Sequence, residues 1–108
     1  MPSTNREPYR QFVKNSFRAS WELELLLRLH DEPHREWRIE ELAKESQIDS
    51  KTVATCVHRL LESQLIAQGQ SRGVYVFKVD CTETRRLIDL MSEDFRRNRL
   101  AVLRILYS

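Results

Sequence analysis

The chain has 108 residues, of which 41% are apolar and 31% charged, a balance that fits one small globular domain rather than a disordered chain. No apolar run approaches the roughly 18 residues of a membrane span, MPSTNREPYRQF lacks a signal-peptide core, and Cys56 and Cys81 make no disulfide framework, so a cytoplasmic protein is expected. The net charge of +2 decides little, but its distribution is uneven: residues 1–20 carry +3, residues 21–50 carry −5, and residues 51–80 and 81–108 carry +2 each.

In chain order, residues 1–7 read as frayed. Pro8 suits a first helical position, and Tyr9, Phe12, Val13 and Phe17 recur at helical spacing, so a short amphipathic helix is expected there. Ser20 is a candidate N-cap for a second helix, with Glu22 and Glu24 in its first turn and Leu25, Leu26 and Leu29 as its buried stripe; Pro33 stops it. Trp37, Arg38 and Ile39 allow a one-rung strand, and residues 40–45 form a short helix with Leu42 and Ala43 inward. Ser46, Gln47 and Ile48 make a turn. With no glycine there, ordinary backbone angles are expected, and only Gly69 and Gly73 occur in the whole chain, which predicts few strained turns. Asp49 or Ser50 caps the next helix, whose residues, about 100° apart, place Val53, Val57, Leu60 and Leu61 on one side. Lys51, Thr52, Thr55, His58, Arg59 and Glu62 lie on the other. Residues 65–67 and 74–77 are β-prone and flank a polar Gly-containing loop, which predicts a hairpin. Asp80 with Glu83 resembles a capping box, and one last helix to about Leu106 carries Leu87, Leu90, Met91, Phe95, Val102 and Leu106.

The segment IEELAKESQIDSKTVATCVHRLLESQLI holds the pattern of an LA helix, a turn ending in Ile, an S-x-x-T-V-like helix start and an L-x-x-x-x-L-I run into a hairpin. It resembles the bacterial winged helix-turn-helix superfamily, in the broad group that includes MarR-like regulators, over roughly residues 21–77. The ends SFRASWELELLLRLH and RLAVLRILYS further resemble small uncharacterised bacterial winged-helix proteins. The expected fold is therefore mainly α: a winged helix-turn-helix at 20–79 with a small β-hairpin wing, an N-terminal arm and helix at 1–19 and a C-terminal helix at 80–108, all in one compact domain. The resemblance implies a DNA-binding transcriptional regulator, with a recognition helix at about 50–64 and a wing at about 65–77.

On that reading Ser50, Lys51, Thr52, Thr55 and Arg59 form the face that meets bases and phosphates of double-stranded DNA. Threonine hydroxyls and methyls can meet base edges, and arginine can bridge the two acceptors of guanine. Gln70, Ser71 and Arg72 are the wing-tip contacts, although a hairpin tip needs such residues in any case. The same helix face is also what a solvated surface looks like. The terminal helices, with Arg85, Arg86, Arg96, Arg97, Arg99 and Arg104 and the Tyr9, Phe12 and Phe17 stripe, are expected to build a homodimer; packing on the monomer core is the alternative.

No metal, cofactor or catalytic set is expected. His30 and His34 are separated by Pro33, Cys56 and His58 point to different sides of a helix, and the Glu22/Glu24 and Glu40/Glu41 pairs sit in helix first turns, where the dipole accounts for them. The second functional reading is a protein-protein interaction module that uses the acidic 21–49 surface and no DNA.

Overall fold

The computed structural model describes residues 7–108; the six preceding residues, part of the segment expected to fray, lie outside the described residues. Glu7, expected with them, opens the first helix. The elements are α1 (Glu7–Ser16), α2 (Ser20–Asp31), β1 (Trp37–Arg38), α3 (Ile39–Ser46), α4 (Ser50–Glu62), β2 (Ile66–Gln68), β3 (Val74–Phe77), α5 (Thr82–Arg97) and α6 (Arg99–Leu106). The protein is mainly α, with six helices among the described residues and one small three-stranded antiparallel sheet. The chain divides into two units, Trp21–Val79 and the described part of Met1–Ser20 together with Asp80–Ser108.

The Trp21–Val79 unit is a helix-turn-helix with a hairpin wing. In the sheet β3 is central, with β1 and β2 on its two sides. Trp37 faces Tyr75 and Arg38 faces Val74, while Ile66, Ala67 and Gln68 face Phe77, Val76 and Tyr75. The short β1 is thus more than one rung. Its Trp37 is fully buried, and the Arg35 guanidinium lies 3.5 Å from the centroid of the indole. The unit's core is Leu23, Leu25, Leu26, Leu29, Trp37, Leu42, Val53, Val57 and Leu60, all within 2% of complete burial. The α2 stripe is wider than expected: besides the three anticipated leucines it buries Leu23, Leu27 and the charged Glu22. Ser20 is the first helical residue rather than the cap. Its backbone N–H donates to the Tyr107 hydroxyl at 2.8 Å.

The ends of α3 and α4 are closed by glutamines, which the scarcity of glycine did not predict. Gln47 has φ 60° and Gln64 has φ 63°, both in the left-handed region where an L side chain crowds its own carbonyl. Each sits just past a helix, and the next N–H reaches back to a late carbonyl: Ile48 to Ala43 at 3.2 Å, Leu65 to Leu60 at 3.1 Å. That is the closure glycine usually provides. Satisfying otherwise orphaned carbonyls offsets the steric cost, so the expectation of ordinary angles in the turn fails at Gln47.

The second unit comprises α1, α5 and α6, with α1 packed on both of the others. Tyr9 and Phe17, expected at a dimer interface, are buried within the single chain together with Val13, and Phe12 meets Phe17 edge-on at 5.9 Å. The single long C-terminal helix is corrected to two. Asn98, at φ −154° and ψ 87°, leaves the helical region, and its side chain accepts the Ala101 N–H at 3.2 Å, so the residue that ends α5 also caps α6. The break releases the two helices from a common register. In α5 the buried residues are Ile88, Met91 and Ser92, whereas Leu90 is 45% exposed and Leu87 and Phe95 are half-buried. The cap of α5 is Cys81, one residue after the Asp80 expected.

Two stability outcomes follow from this packing. Leu60→Ala, at a site 1% exposed, should cost about 2–5 kcal/mol in urea unfolding. Gln47→Gly should leave the protein as stable or up to about 1 kcal/mol more so, because relief of left-handed crowding exceeds the added chain entropy. A lower urea midpoint for the glycine variant would contradict the backbone assignment.

Candidate nucleic-acid interface

The candidate interface is α4, the turn before it and the wing. Helix α4 starts where it does because Asp49 caps it: one carboxylate oxygen accepts the Thr52 N–H at 2.9 Å and the other accepts the Thr52 hydroxyl at 2.8 Å. These bonds hold the Asp49 carboxyl below its ordinary range. Helix α3 is closed at its start by Glu41, whose side chain accepts the Arg38 N–H at 2.8 Å. Both helices of the motif are therefore set by local polar contacts, and their rotation by the core beneath them.

The inward side of α4 carries Val53, Cys56, Val57 and Leu60, with Leu61 only half-buried, so Cys56 takes the place expected for Leu61. Burial pushes the Cys56 thiol up to about 11, with the Glu22 carboxylate adding to the rise, so the group is a neutral core side chain at neutral pH. Ser50, Lys51, Thr55, His58 and Glu62 are exposed and form the outward side. Thr52 is half-buried with its hydroxyl given to Asp49, and the Thr55 hydroxyl donates to the Lys51 carbonyl at 3.1 Å. His58 lies 3.5 Å from Glu62 one turn on.

Arg59 takes a different course from its sequence neighbours. Its Nε donates to a Glu22 oxygen at 2.6 Å, with the Arg59 side chain 31% exposed and that of Glu22 only 4%. The pair ties the first turn of α2 to the last turn of α4. Helical spacing placed Arg59 near the polar side, but no one-dimensional signal links it to a glutamate 37 positions earlier.

At the wing, Gln70, Ser71 and Arg72 are exposed as a tip between β2 and β3. Gly73, at φ 81°, makes the turn into β3, and its missing side chain would otherwise meet only open space. Gly69 is required by closeness instead: a Cβ there would lie 2.6 Å from a Glu36 oxygen and 2.8 Å from a Val74 methyl. The same Glu36 oxygen accepts the Gln70 N–H at 2.7 Å, so the segment before β1 anchors the wing. Sequence reading did not single out Glu36; an acidic residue next to Arg35 and Trp37 gives no local sign of a contact 34 residues away.

The acidic block is partly neutralised from within. Arg35 lies 3.0 Å from Glu45, 3.3 Å from Glu32 and 4.0 Å from Glu41, and Arg28 is 3.6 Å from Glu45. Residues 21–79 hold eight Lys or Arg against ten Asp or Glu, a net −2, so the helix-turn-helix unit has no overall positive field. His30, once paired with His34 as a candidate, turns its ring edge-on to Phe77 at 5.3 Å, and His34 is exposed.

Arg59→Ala should destabilise the fold by roughly 3 kcal/mol, because a desolvated carboxylate loses its charge-assisted hydrogen bond at 2.6 Å, whereas Glu22→Leu with Arg59→Met should restore most of the loss. Thermal melts of the single and double variants check this. For Asp49, a carboxyl whose pKa is lowered on folding contributes stability above the ordinary value and loses it as pH falls through the lowered one. The gap in melting temperature between the native protein and Asp49→Ala should therefore be full at pH 7 and narrow below about pH 4.

Compared with known proteins, the chain matches no protein-family model, no curated protein and no solved structure.

Proposed function

We propose that the protein is a DNA-binding transcriptional regulator of the winged helix-turn-helix kind. The observation that carries the reading is the outward side of α4: Ser50, Lys51 and Thr55 stand exposed at the start of a helix whose opposite side is wholly committed to the core. A helix-turn-helix presents the N-terminal residues of its second helix to the major groove, and here those residues are a hydroxyl, a cation and a threonine. Thr52 contributes its methyl while its hydroxyl serves the cap. Gln70, Ser71 and Arg72 add backbone contacts from the wing tip.

The unit's net −2 makes a single copy a weak polyanion binder, since affinity for duplex DNA grows with the number of phosphates neutralised. A homodimer doubles those contacts and would read half-sites about one helical turn apart. Tyr9 and Phe17 are already buried within the single chain. The apolar surface left for pairing through the terminal helices includes Leu90, 45% exposed, and Leu100, 64% exposed.

The test is binding to random-sequence duplex DNA at about 50 and 200 mM salt. The native protein should bind in the micromolar range and weaken steeply between the two, and Lys51→Ala should lower the log–log salt slope by about 0.9, the loss of one phosphate contact. A folded protein with no affinity at the lower salt would turn the assignment to a protein-interaction module.

A further inference from the structure

We propose that the outward face of α5 docks a second copy of the chain, antiparallel, about a two-fold axis at Leu90. This rests on the homodimer of the reading above and gives it a surface and a register. Helix α5 buries Ile88, Met91 and Ser92 on one side and leaves Leu90 45% exposed near the middle of the other. At about 100° per residue, the half-buried Leu87 and the charged Glu83, Arg86, Glu93, Asp94 and Arg97 all fall within about 60° of Leu90. Three acidic groups against two basic leave that face close to neutral, so it does not suit a polyanion, despite the arginines elsewhere on the helix. A single exposed leucine is common on any surface. The charges around it are what select a partner.

Their signs reverse about Leu90. Seven residues before it stands Glu83 and seven after it Arg97; four before it stands Arg86 and four after it Asp94, next to Glu93. A two-fold axis through Leu90, perpendicular to the helix, sets each position before it against the equally distant position after it on the other copy. Glu83 then faces the partner's Arg97, Arg86 faces the partner's Asp94 and Glu93, and Leu90 packs on its own copy beside Leu87. The alternatives oppose like charges. A parallel pair sets each charge against its own copy. Sliding the antiparallel pair by three residues opposes Glu83 and the partner's Asp94 in one direction, and Arg86 and the partner's Arg97 in the other. Like-charge contacts of this kind are what reject a wrong register. Within the chain Arg97 holds Glu93 at 2.8 Å, but that pair is 74% and 60% exposed, and one guanidinium has donors enough for two carboxylates.

Sedimentation equilibrium over a range of protein concentrations tests this. The native protein should be a dimer, and Glu83→Arg or Arg97→Glu alone should raise its Kd at least about tenfold. Combining the two restores opposite charges only between copies, because positions 83 and 97 stand about 21 Å apart along one helix. The combined variant should return to within about threefold of the native Kd. Effects on the helix itself would instead add, since each substitution opposes the α5 dipole. A combined variant weaker than either single one overturns the inference. So does a native dimer indifferent to both charges, which leaves the homodimer itself standing. A native protein that stays monomeric at about 100 μM removes the homodimer and this inference together. Should the charge-reversed chains fail to fold, Leu90→Glu decides, since an exposed site accepts a charge in the free chain. It should be a folded monomer, and a folded dimer of native strength overturns the inference. Duplex binding enters none of these readouts, so the DNA assignment can fail while this one stands.

Discussion

A carboxylate at 3% exposure and the guanidinium that neutralises it set the frame of the helix-turn-helix unit. Glu22 enters at the first turn of α2, where the helix dipole favours an anion, and Arg59 reaches it from the last turn of α4. With that arginine turned inward, the rotation of α4 follows: Val53, Cys56, Val57 and Leu60 face the core, and Lys51, Thr55, His58 and Glu62 face out. A pair of this kind adds little net stability over apolar residues of similar size, yet it penalises any rotation of α4 that separates its members. The core supplies the adhesion, and the pair supplies the angle.

The wing is governed by a second contact of the same sort. Glu36 accepts the Gln70 N–H, and Gly69 lets the carboxylate come close. Two carboxylates from the acidic stretch thus serve as internal fixtures, and three more converge on Arg35, which also covers Trp37. Much of the charge that makes residues 21–50 look like an acidic surface is therefore spent within the unit. This weakens the case for that surface as a docking site and leaves the exposed start of α4 as the more distinctive feature.

How much of this was legible in the sequence depended on whether the signal was local. Most of the register of α4, its start at Asp49 or Ser50 and the hairpin were readable, because apolar spacing, capping side chains and turn residues act within a few residues, although Cys56 rather than Leu61 completes the inward side. Asn98 was missed since a break without proline or glycine depends on one side chain choosing the Ala101 N–H over helix continuation. Gln47 and Gln64 were missed for a related reason: backbone closure of a helix end outweighs the left-handed penalty, and the residue's identity does not announce it. For the candidate site, Ser50, Lys51, Thr55 and the wing tip stand exposed where spacing put them. The engagement of Arg59 with Glu22, and of Glu36 with the wing, arises only when distant segments meet.

The central claim is that the exposed start of α4 meets DNA. Its most direct test is backbone amide mapping by NMR during titration of a short duplex. The account predicts that the largest shifts fall on residues 50–55 and 70–72. Shifts confined to residues 32–45, or none at concentrations that saturate a micromolar complex, would contradict it.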